Sequence, residues 1–132
     1  HRLSTGEMEE VLAAHPAIAE CSVIGVNDAL KGQLPVGLVL LKDGVNIDEK
    51  ALEQDLVQCV RDKIGPVGCF KRAIVVNRLP KTRSGKILRK LLRQIAANES
   101  VAVPSTIDDP SSVREIESIM REKGLVNETS AV

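Results

Sequence analysis

The chain of 132 residues is 43% hydrophobic and 27% charged, a balance that predicts one globular domain with a buried core. No apolar run approaches the roughly 20 residues that a membrane-spanning helix needs, so we expect no membrane partner. Phe70 is the single aromatic residue, which argues against nucleic-acid binding by base stacking.

Charge is unevenly distributed along the chain, although the formal net charge is zero. Residues 1–60 carry a net charge of −6, residues 61–95 carry +10, and residues 96–132 carry −4. A segment as basic as the middle one attracts anions. The acidic flanks can neutralise it only if both fold against it, so the sequence leaves room for an anionic partner.

The N-terminal part predicts a helix followed by two strands. Ser4 and Glu7 have the spacing of a capping box, and His15-Pro16 ends the helix that they begin, because a residue before proline avoids the α region. The apolar stretches at residues 21–26 and 34–41 are bounded by turn residues and predict two short strands.

A longer helix and a third strand are predicted next. Asp48 can cap the helix, and Gly65-Pro66 stops it. The residues on its apolar side are Leu52, Leu56, Cys59, Val60 and Ile64. Residues 72–77 are rich in β-branched side chains and predict the third strand.

The last third predicts two more helices. Ser84 is expected to cap a basic amphipathic helix, with inward positions Ile87, Leu88, Leu91, Leu92 and Ile95. Residues 97–106 are polar and typical of a linker or surface strap, and Asp109-Pro110 opens a terminal helix that ends at Gly124. This order of elements predicts an α+β fold, a small sheet of about three strands flanked by helices.

The cysteines and the chain start bear on the protein's origin. Cys21, Cys59 and Cys69 are odd in number and share no spacing, which fits neither a disulfide framework nor a zinc site and predicts a reducing, intracellular environment. Because the chain opens with His1 rather than methionine, we expect a piece of a longer protein.

The segment LPKTRSGKI at residues 79–87 combines cationic and hydroxyl side chains with a glycine. Such a loop suits phosphate or carboxylate recognition, since a lysine charge and backbone N–H groups near a helix start act together. A phosphate loop would need glycine where Pro80 stands and Ser or Thr where Ile87 stands, so that motif is excluded. A solvated surface loop is the alternative, and the residues alone do not decide between the two.

PKTRSGK, followed by ILRKLLRQIA, resembles the C-terminal signature motif of the adenylate-forming superfamily of acyl-CoA synthetases. The phrases HRLSTGEMEEVLAAHPAIAE, DALKGQ, VRDKIGP and LPKTRSGKILRKLLR resemble its acetyl-/propionyl-CoA synthetase branch, and among its members they are most similar to the mitochondrial short-chain, propionate-preferring ones. The similarity covers residues 1 to about 98. It implies a mobile C-terminal lid domain at residues 1–98, and residues 99–132 would form a linker, a short terminal helix and a frayed tail.

The resemblance implies a reaction in two steps. A small carboxylic acid and ATP would form an acyl-adenylate and pyrophosphate, and coenzyme A would then displace AMP. A large N-terminal partner domain would hold most of the pocket, while this lid rotates between two poses. The expected cofactors and substrates are therefore ATP, Mg²⁺ and coenzyme A. The lid alone is expected to be inactive, and the resemblance suggests the mitochondrial matrix.

Carried over by the resemblance, Lys86 is the catalytic lysine that orients the carboxylate and stabilises the charge of adenylation. In this branch the same lysine is an acetylation target, and acetylation would remove its charge. The motif loop around it consists of Pro80, Lys81, Thr82, Arg83, Ser84 and Gly85.

Further contacts are implied in the same way. Arg2 matches an arginine that contacts ATP phosphate, and Arg61 matches one that contacts the nucleotide phosphate of coenzyme A; each would otherwise be a solvated surface charge. The backbone carbonyls of Ala13, His15 and Ile18 match a place where the branch holds magnesium. Otherwise, His15 is a histidine at a helix C-terminus, favoured by the helix dipole.

Two other functions stay open at this stage. The basic segment is electrostatically suited to a nucleic-acid-binding module, although phosphate contacts explain affinity and not specificity. A basic helix could also dock on an acidic protein surface. Tight, salt-dependent DNA binding would favour the nucleic-acid module, whereas coenzyme A binding without DNA binding would favour the enzyme lid.

Overall fold

A computed structural model describes residues 4–28, 30, 32–65 and 70–127 of the chain. In chain order the elements are α1 (Thr5–Ala13), β1 (Ile18–Asp28), β2 (Gly32–Leu41), α2 (Glu49–Ile64), β3 (Arg72–Val75), α3 (Arg89–Ala96) and α4 (Ser111–Glu122). The predicted α+β fold with a small sheet and flanking helices is thereby confirmed.

The sheet has the strand order β1-β2-β3, with β2 in the centre. Strands β1 and β2 form an antiparallel hairpin in which Val23 pairs with Gly37, and β2 and β3 are parallel, with Leu38 opposite Ile74. The parallel pair needs a crossover connection, which α2 supplies. Because helices cover both faces, the strands are apolar on both sides and lack alternation with polar residues.

Two clusters of buried side chains fill the two faces of the sheet. Helices α1 and α2 cover one face, whose buried side chains include Met8, Leu12, Leu52, Leu56, Val60 and Phe70. Helices α3 and α4 cover the other, whose buried side chains include Ile24, Leu38, Leu92, Ile95, Ile107, Ile116 and Met120. The terminal helix α4 therefore shares a core with the sheet that carries the rest of the fold.

Both helix starts predicted for the first half of the chain are confirmed. The Ser4 hydroxyl accepts a hydrogen bond from the Glu7 amide at 3.1 Å, and the Asp48 carboxylate accepts one from the Ala51 amide at 2.9 Å. Each bond satisfies a donor that the first helical turn leaves unpaired. Gly65 ends α2 with a φ of 110°, a conformation that favours glycine.

Other predictions differ from the structure. The helix predicted to start at Ser84 begins at Arg89, and the third strand ends at Val75 rather than at residue 77. Cys59 is half-buried rather than in the core, because the inner stripe of α2 runs through its neighbours Leu56 and Val60. Cys69 lies outside the described residues. None of the helices in the described part of the chain could cross a membrane.

We expect Leu56→Ala to lower the free energy of unfolding by about 2–5 kcal/mol, because it opens a cavity between α2 and the sheet. Leu56 is 0% exposed, whereas Leu30 is 92% exposed, so Leu30→Ala is the matched control and should change stability by less than about 0.5 kcal/mol. Urea unfolding of both variants measures the difference, and equal losses would contradict the assigned core.

Candidate functional site

The PKTRSGK segment folds into a tight hairpin, here called the motif hairpin (residues 81–87). Lys81 and Ile87 pair as an antiparallel bridge. Inside it the Thr82 amide donates to the Lys86 carbonyl at 2.8 Å, and the Lys86 amide donates to the Thr82 hydroxyl at 3.0 Å. Thr82 therefore holds both the amide and the carbonyl of Lys86, through its hydroxyl and its own amide.

Gly85 makes the turn of the hairpin possible. Its φ is 94°, in the left-handed region, and its amide donates to the Thr82 carbonyl at 2.8 Å. The predicted helix cap at Ser84 is wrong, because the Ser84 hydroxyl hydrogen-bonds the Thr82 hydroxyl at 2.9 Å instead. Lys86 thus lies at a hairpin tip, three residues before the first residue of α3, and not at a helix N-terminus.

The Lys86 side chain is exposed. Within the described part of the chain, no hydrogen bond or salt bridge holds its ammonium group. A fixed backbone with an unpaired cation at the tip is an arrangement that can deliver a positive charge to a partner surface.

The first leg of the hairpin is fixed by Lys81, whose ammonium donates to Glu20 Oε2 of β1 at 2.6 Å. The other carboxylate oxygen of Glu20, Oε1, is buried without a hydrogen-bond partner among the described residues. The Lys81 ammonium satisfies the other oxygen of this partly exposed carboxylate. Lys81 therefore ties the first leg of the hairpin to β1.

The exit of the hairpin is fixed by Arg89, the first residue of α3. Its guanidinium donates to both oxygens of Glu9 on α1, at 2.6 and 2.9 Å, and Glu9 also accepts the Val23 amide of β1 at 2.8 Å. Burial by itself raises the pKa of Glu9, but the bonds from Arg89 and Val23 outweigh it and bring the pKa below its usual 4.5. One ionised carboxylate thus joins α1, β1 and α3.

The outer edge of the hairpin is paired by residues 104–108, here called the terminal strap. Thr82 and Ile107 form an antiparallel bridge, the Arg83 amide donates to the Thr106 carbonyl, and the Asp108 amide donates to the Lys81 carbonyl, the last two at 2.9 Å. The stretch predicted as a linker or surface strap therefore ends in a segment that completes the hairpin.

Arg78 ties the start of α4 to the segment before the hairpin. Its guanidinium donates to Asp109 and to Glu115, each at 2.8 Å, and to the Ser111 hydroxyl at 3.0 Å. Hydrogen bonds from Ser111 and Arg78 lower the pKa of Asp109 from 3.8 to about 2. The carboxylate form of Asp109 therefore holds this junction.

The acidic flanks fold against the basic segment from both sides. Of its eleven cations, four form salt bridges within the described residues, and their partners come from both flanks: Arg72 with Glu53, Arg78 with Asp109 and Glu115, Lys81 with Glu20, and Arg89 with Glu9. This internal pairing neutralises part of the charge of the basic segment.

Arg61 lies in the last turn of α2 and is exposed, with no salt bridge among the described residues. Its backbone carbonyl accepts the Gly65 amide at 3.0 Å. The helix end thus positions a guanidinium that is open to a ligand. Arg2 lies outside the described residues, so its predicted role has no structural counterpart here.

The loop after α1 contains the predicted carbonyl ligands Ala13, His15 and Ile18. The His15 carbonyl accepts the Ile18 amide at 3.1 Å, its ring Nδ1 accepts the Ala17 amide at 3.1 Å, and its Nε2 lies 2.6 Å from Asp55. An imidazole that accepts at Nδ1 is protonated at Nε2, so it donates to Asp55. Within residues 4–28, 30, 32–65 and 70–127, no three His, Cys, Asp or Glu residues gather as a metal site.

An open depression of about 620 Å³ lies between α1 and the motif hairpin. The acidic side chains on its walls are those of Glu9, Glu10 and Glu20. Lys81 also lines the depression. Glu9 and Glu20 are paired with Arg89 and Lys81, so Glu10 is the wall carboxylate without a salt bridge among the described residues.

A sequence profile described as the AMP-binding enzyme C-terminal domain matches residues 7–86, more than half of the chain. The chain therefore belongs to the AMP-binding enzyme C-terminal domain family.

Several relatives share this region. An uncharacterized protein of Pseudomonas aeruginosa is 60% identical over 121 residues, which covers 92% of this chain and 19% of the relative. The mitochondrial acyl-CoA synthetase short-chain family member B of Dictyostelium discoideum is 53% identical over 89% of this chain and 17% of its own length. The acetyl-coenzyme A synthetase of Pyrobaculum arsenaticum is 44% identical over 87% of this chain and 17% of its own length.

The fold has a solved counterpart in the crystal structure of an acyl-CoA synthetase from Brucella canis. The two agree with a TM-score of 0.65 and 32% sequence identity over 71% of this chain and 17% of the other. The resemblance to short-chain acyl-CoA synthetases is thus confirmed, and the chain spans less than one fifth of the relatives it matches.

We expect Arg89→Met to destabilise the fold by about 1–3 kcal/mol at pH 7, because it leaves the half-buried Glu9 carboxylate without its guanidinium. Arg121→Met is the matched control, since Arg121 pairs with Glu117 on the exposed face of α4 and otherwise donates to the exposed Asn98 amide oxygen, and a surface pair of this kind contributes about 0.5 kcal/mol. Chemical unfolding compares the two. Equal effects would show that the Glu9 pair is no stronger than a surface pair.

We expect the ionised Asp109 carboxylate to stabilise the fold, so that the free energy of unfolding decreases when acid protonates it. Its pKa is lowered from 3.8 to about 2, so the unfolded chain takes up the proton first, and the contribution present above pH 3.8 is lost as the pH falls towards 2. Asp109→Asn removes this term, and Arg78→Met weakens it. Thermal unfolding at several pH values between 4 and 2 should give a shallower decline for both variants, and an unchanged slope for Asp109→Asn would contradict the assignment.

Proposed function

We propose that the chain is the C-terminal catalytic lid of an ATP-dependent short-chain acyl-CoA synthetase. The whole enzyme would convert a small carboxylate, ATP and coenzyme A into acyl-CoA, AMP and pyrophosphate. The observation that carries the proposal is Lys86, an exposed cation with no partner among the described residues, at the tip of a hydrogen-bonded hairpin in a domain of this family.

Lys86 would act in the adenylation step. As the carboxylate oxygen attacks the α-phosphorus, negative charge gathers on the phosphate oxygens and the leaving pyrophosphate. An ammonium group held there stabilises this transition state more than the ground state, because the charge is denser in the former. Lys86 would contribute its positive charge and would not act as a general acid or base. Acetylation of its Nζ would remove that charge and stop the step.

Arg61 would contact coenzyme A in the second step. Its guanidinium is exposed at the end of α2, and a planar fork of N–H donors suits a nucleotide phosphate. Arg2 would contact an ATP phosphate in the first step. The two residues would serve different poses of the lid, which moves relative to the large domain between the half-reactions.

Magnesium would be held by the carbonyls of Ala13, His15 and Ile18. Ala13 is the last residue of α1, so its carbonyl lies at the negative end of the helix dipole, and uncharged oxygens of this kind suit a hard cation. The ion would supply electrostatic support to this loop. The residues that act on the substrates remain Lys86 and the two arginines.

The compartment is proposed from relatives. The Dictyostelium discoideum and Mus musculus relatives carry the word mitochondrial in their names, which supports a mitochondrial location for this protein. Activity would require the large partner domain, which is expected to hold the adenine and acyl pockets.

We expect Lys86→Ala in the full-length synthetase to lower adenylate formation by about 100-fold or more, because the transition state loses its cation. Thioester formation from supplied acyl-adenylate should change little, since Lys86 leaves the site in that pose. Pyrophosphate exchange measures the first step, and coenzyme A consumption with synthetic acyl-adenylate measures the second.

Lys90→Ala is the matched control for this variant. Lys90 is also an exposed lysine, four residues further along and on α3, so its removal changes the net charge equally. It should leave both steps near the wild-type rate. If Lys86→Ala slowed both half-reactions equally, or if Lys90→Ala matched it, the proposed role of Lys86 would be wrong.

A further inference from the structure

We propose that the terminal strap acts as a positioning strand for the motif hairpin, and that Ile107 and Arg83 are positioning residues for the adenylation step. This inference rests on the proposed role of Lys86. The strap lies beyond residues 7–86, the part of the chain that the family profile matches.

The pairing between strap and hairpin is made by backbone groups. The Thr82–Ile107 bridge is flanked by the Arg83 amide bond to Thr106 and by the Asp108 amide bond to Lys81, both at 2.9 Å. Thr82 also bonds Lys86 across the hairpin at 2.8 Å. The strap holds Thr82, and Thr82 in turn hydrogen-bonds Lys86. The strap therefore restrains Lys86 indirectly.

Ile107 anchors the strap in the core. Its side chain is 4% exposed and belongs to the same buried cluster as Leu92 of α3 and Ile116 of α4. The next residues are tied down by Arg78, which binds Asp109 and Glu115. The strap thus connects the exposed hairpin to a packed interior.

Arg83 has a structural partner. Its Nη2 donates to the Ser105 carbonyl of the strap at 2.9 Å, in addition to its amide bond to Thr106. A guanidinium used in this way holds the strap against the hairpin. We therefore assign Arg83 of the cationic motif to this contact with the strap and not to a substrate contact.

The consequence for catalysis follows from geometry. A cation stabilises the transition state only when it is held close to the developing charge, and an error of about 1 Å can cost about 100-fold in rate. The ion pairs of Lys81 and Arg89 hold the two ends of the seven-residue hairpin, and its tip is exposed. The strap supplies the second set of hydrogen bonds that keeps Lys86 in one place.

The test compares two isoleucines of the same cluster in the full-length synthetase. Ile107→Ala removes the anchor of the strap, whereas Ile116→Ala removes an equally buried side chain that does not pair with the hairpin. We expect Ile107→Ala to lower the kcat of adenylate formation by about tenfold or more, with the KM for ATP and the thioester step within about twofold. Ile116→Ala should leave both steps within about twofold, and Ile107→Val should restore the rate.

A second readout needs no turnover. Hydrogen exchange followed by mass spectrometry should show faster exchange in residues 80–88 for Ile107→Ala and unchanged exchange there for Ile116→Ala. Arg83→Lys keeps the charge and removes the reach to Ser105, so it should also speed this exchange and lower kcat rather than raise the KM for ATP. The Arg83→Lys variant tests the proposal even if Ile107→Ala does not fold.

The proposal is overturned if Ile107→Ala and Ile116→Ala behave alike in both readouts. It is also overturned if Arg83→Lys raises the KM for ATP while exchange at residues 80–88 stays unchanged, because Arg83 would then be a substrate contact. Failure of the proposed function looks different. In that case Lys86→Ala would spare adenylation, while the exchange measurement would still decide whether the strap holds the hairpin.

Discussion

One carboxylate, that of Glu9, joins three elements of the fold. It receives two hydrogen bonds from Arg89 and one from the Val23 amide, so that the first helix, the first strand and the third helix meet at a single ionised group. The side chain of Glu9 is only 18% exposed, and a carboxylate in that setting stays charged because its donors outweigh the loss of water. Since Arg89 begins α3 directly after the hairpin, the same group sets where Lys86 emerges from the fold.

Local chemistry made much of this fold predictable. Ser4 and Asp48 cap helices because a short polar side chain satisfies free amides within three residues, which is visible in the sequence alone. The apolar runs of β1 and β2 likewise follow from burial on both faces. The helix cap predicted at Ser84 was wrong because the Ser84 hydroxyl hydrogen-bonds the Thr82 hydroxyl instead of a helix amide. A hairpin turn at Gly85 lies where the first helical turn was predicted.

The motif that carries the proposed site is visible in the sequence, whereas the contacts that hold it in place are not. The motif around Lys86 carries a family resemblance in the sequence itself, but Glu9 and Arg89 are 80 residues apart, and nothing local couples them. The pairing of Thr82 with Ile107 is likewise a long-range event. The sequence feature that did indicate this support was the acidic composition of both flanks. Glu9, Glu20 and Asp109 of these flanks form salt bridges with the basic segment.

Glu53 binds a backbone amide of the outer strand β3, as Glu9 does on the other outer strand, β1. It accepts the Ala73 amide of β3 at 2.9 Å and pairs with Arg72, while Glu9 accepts the Val23 amide of β1. Both outer strands thus have an amide covered by a charged side chain from a helix. Unprotected strand edges recruit other chains and seed aggregates, and a carboxylate at the edge opposes that recruitment. In the proposed role, a lid that separates from its partner surface in each cycle would be protected from self-association by these two carboxylates.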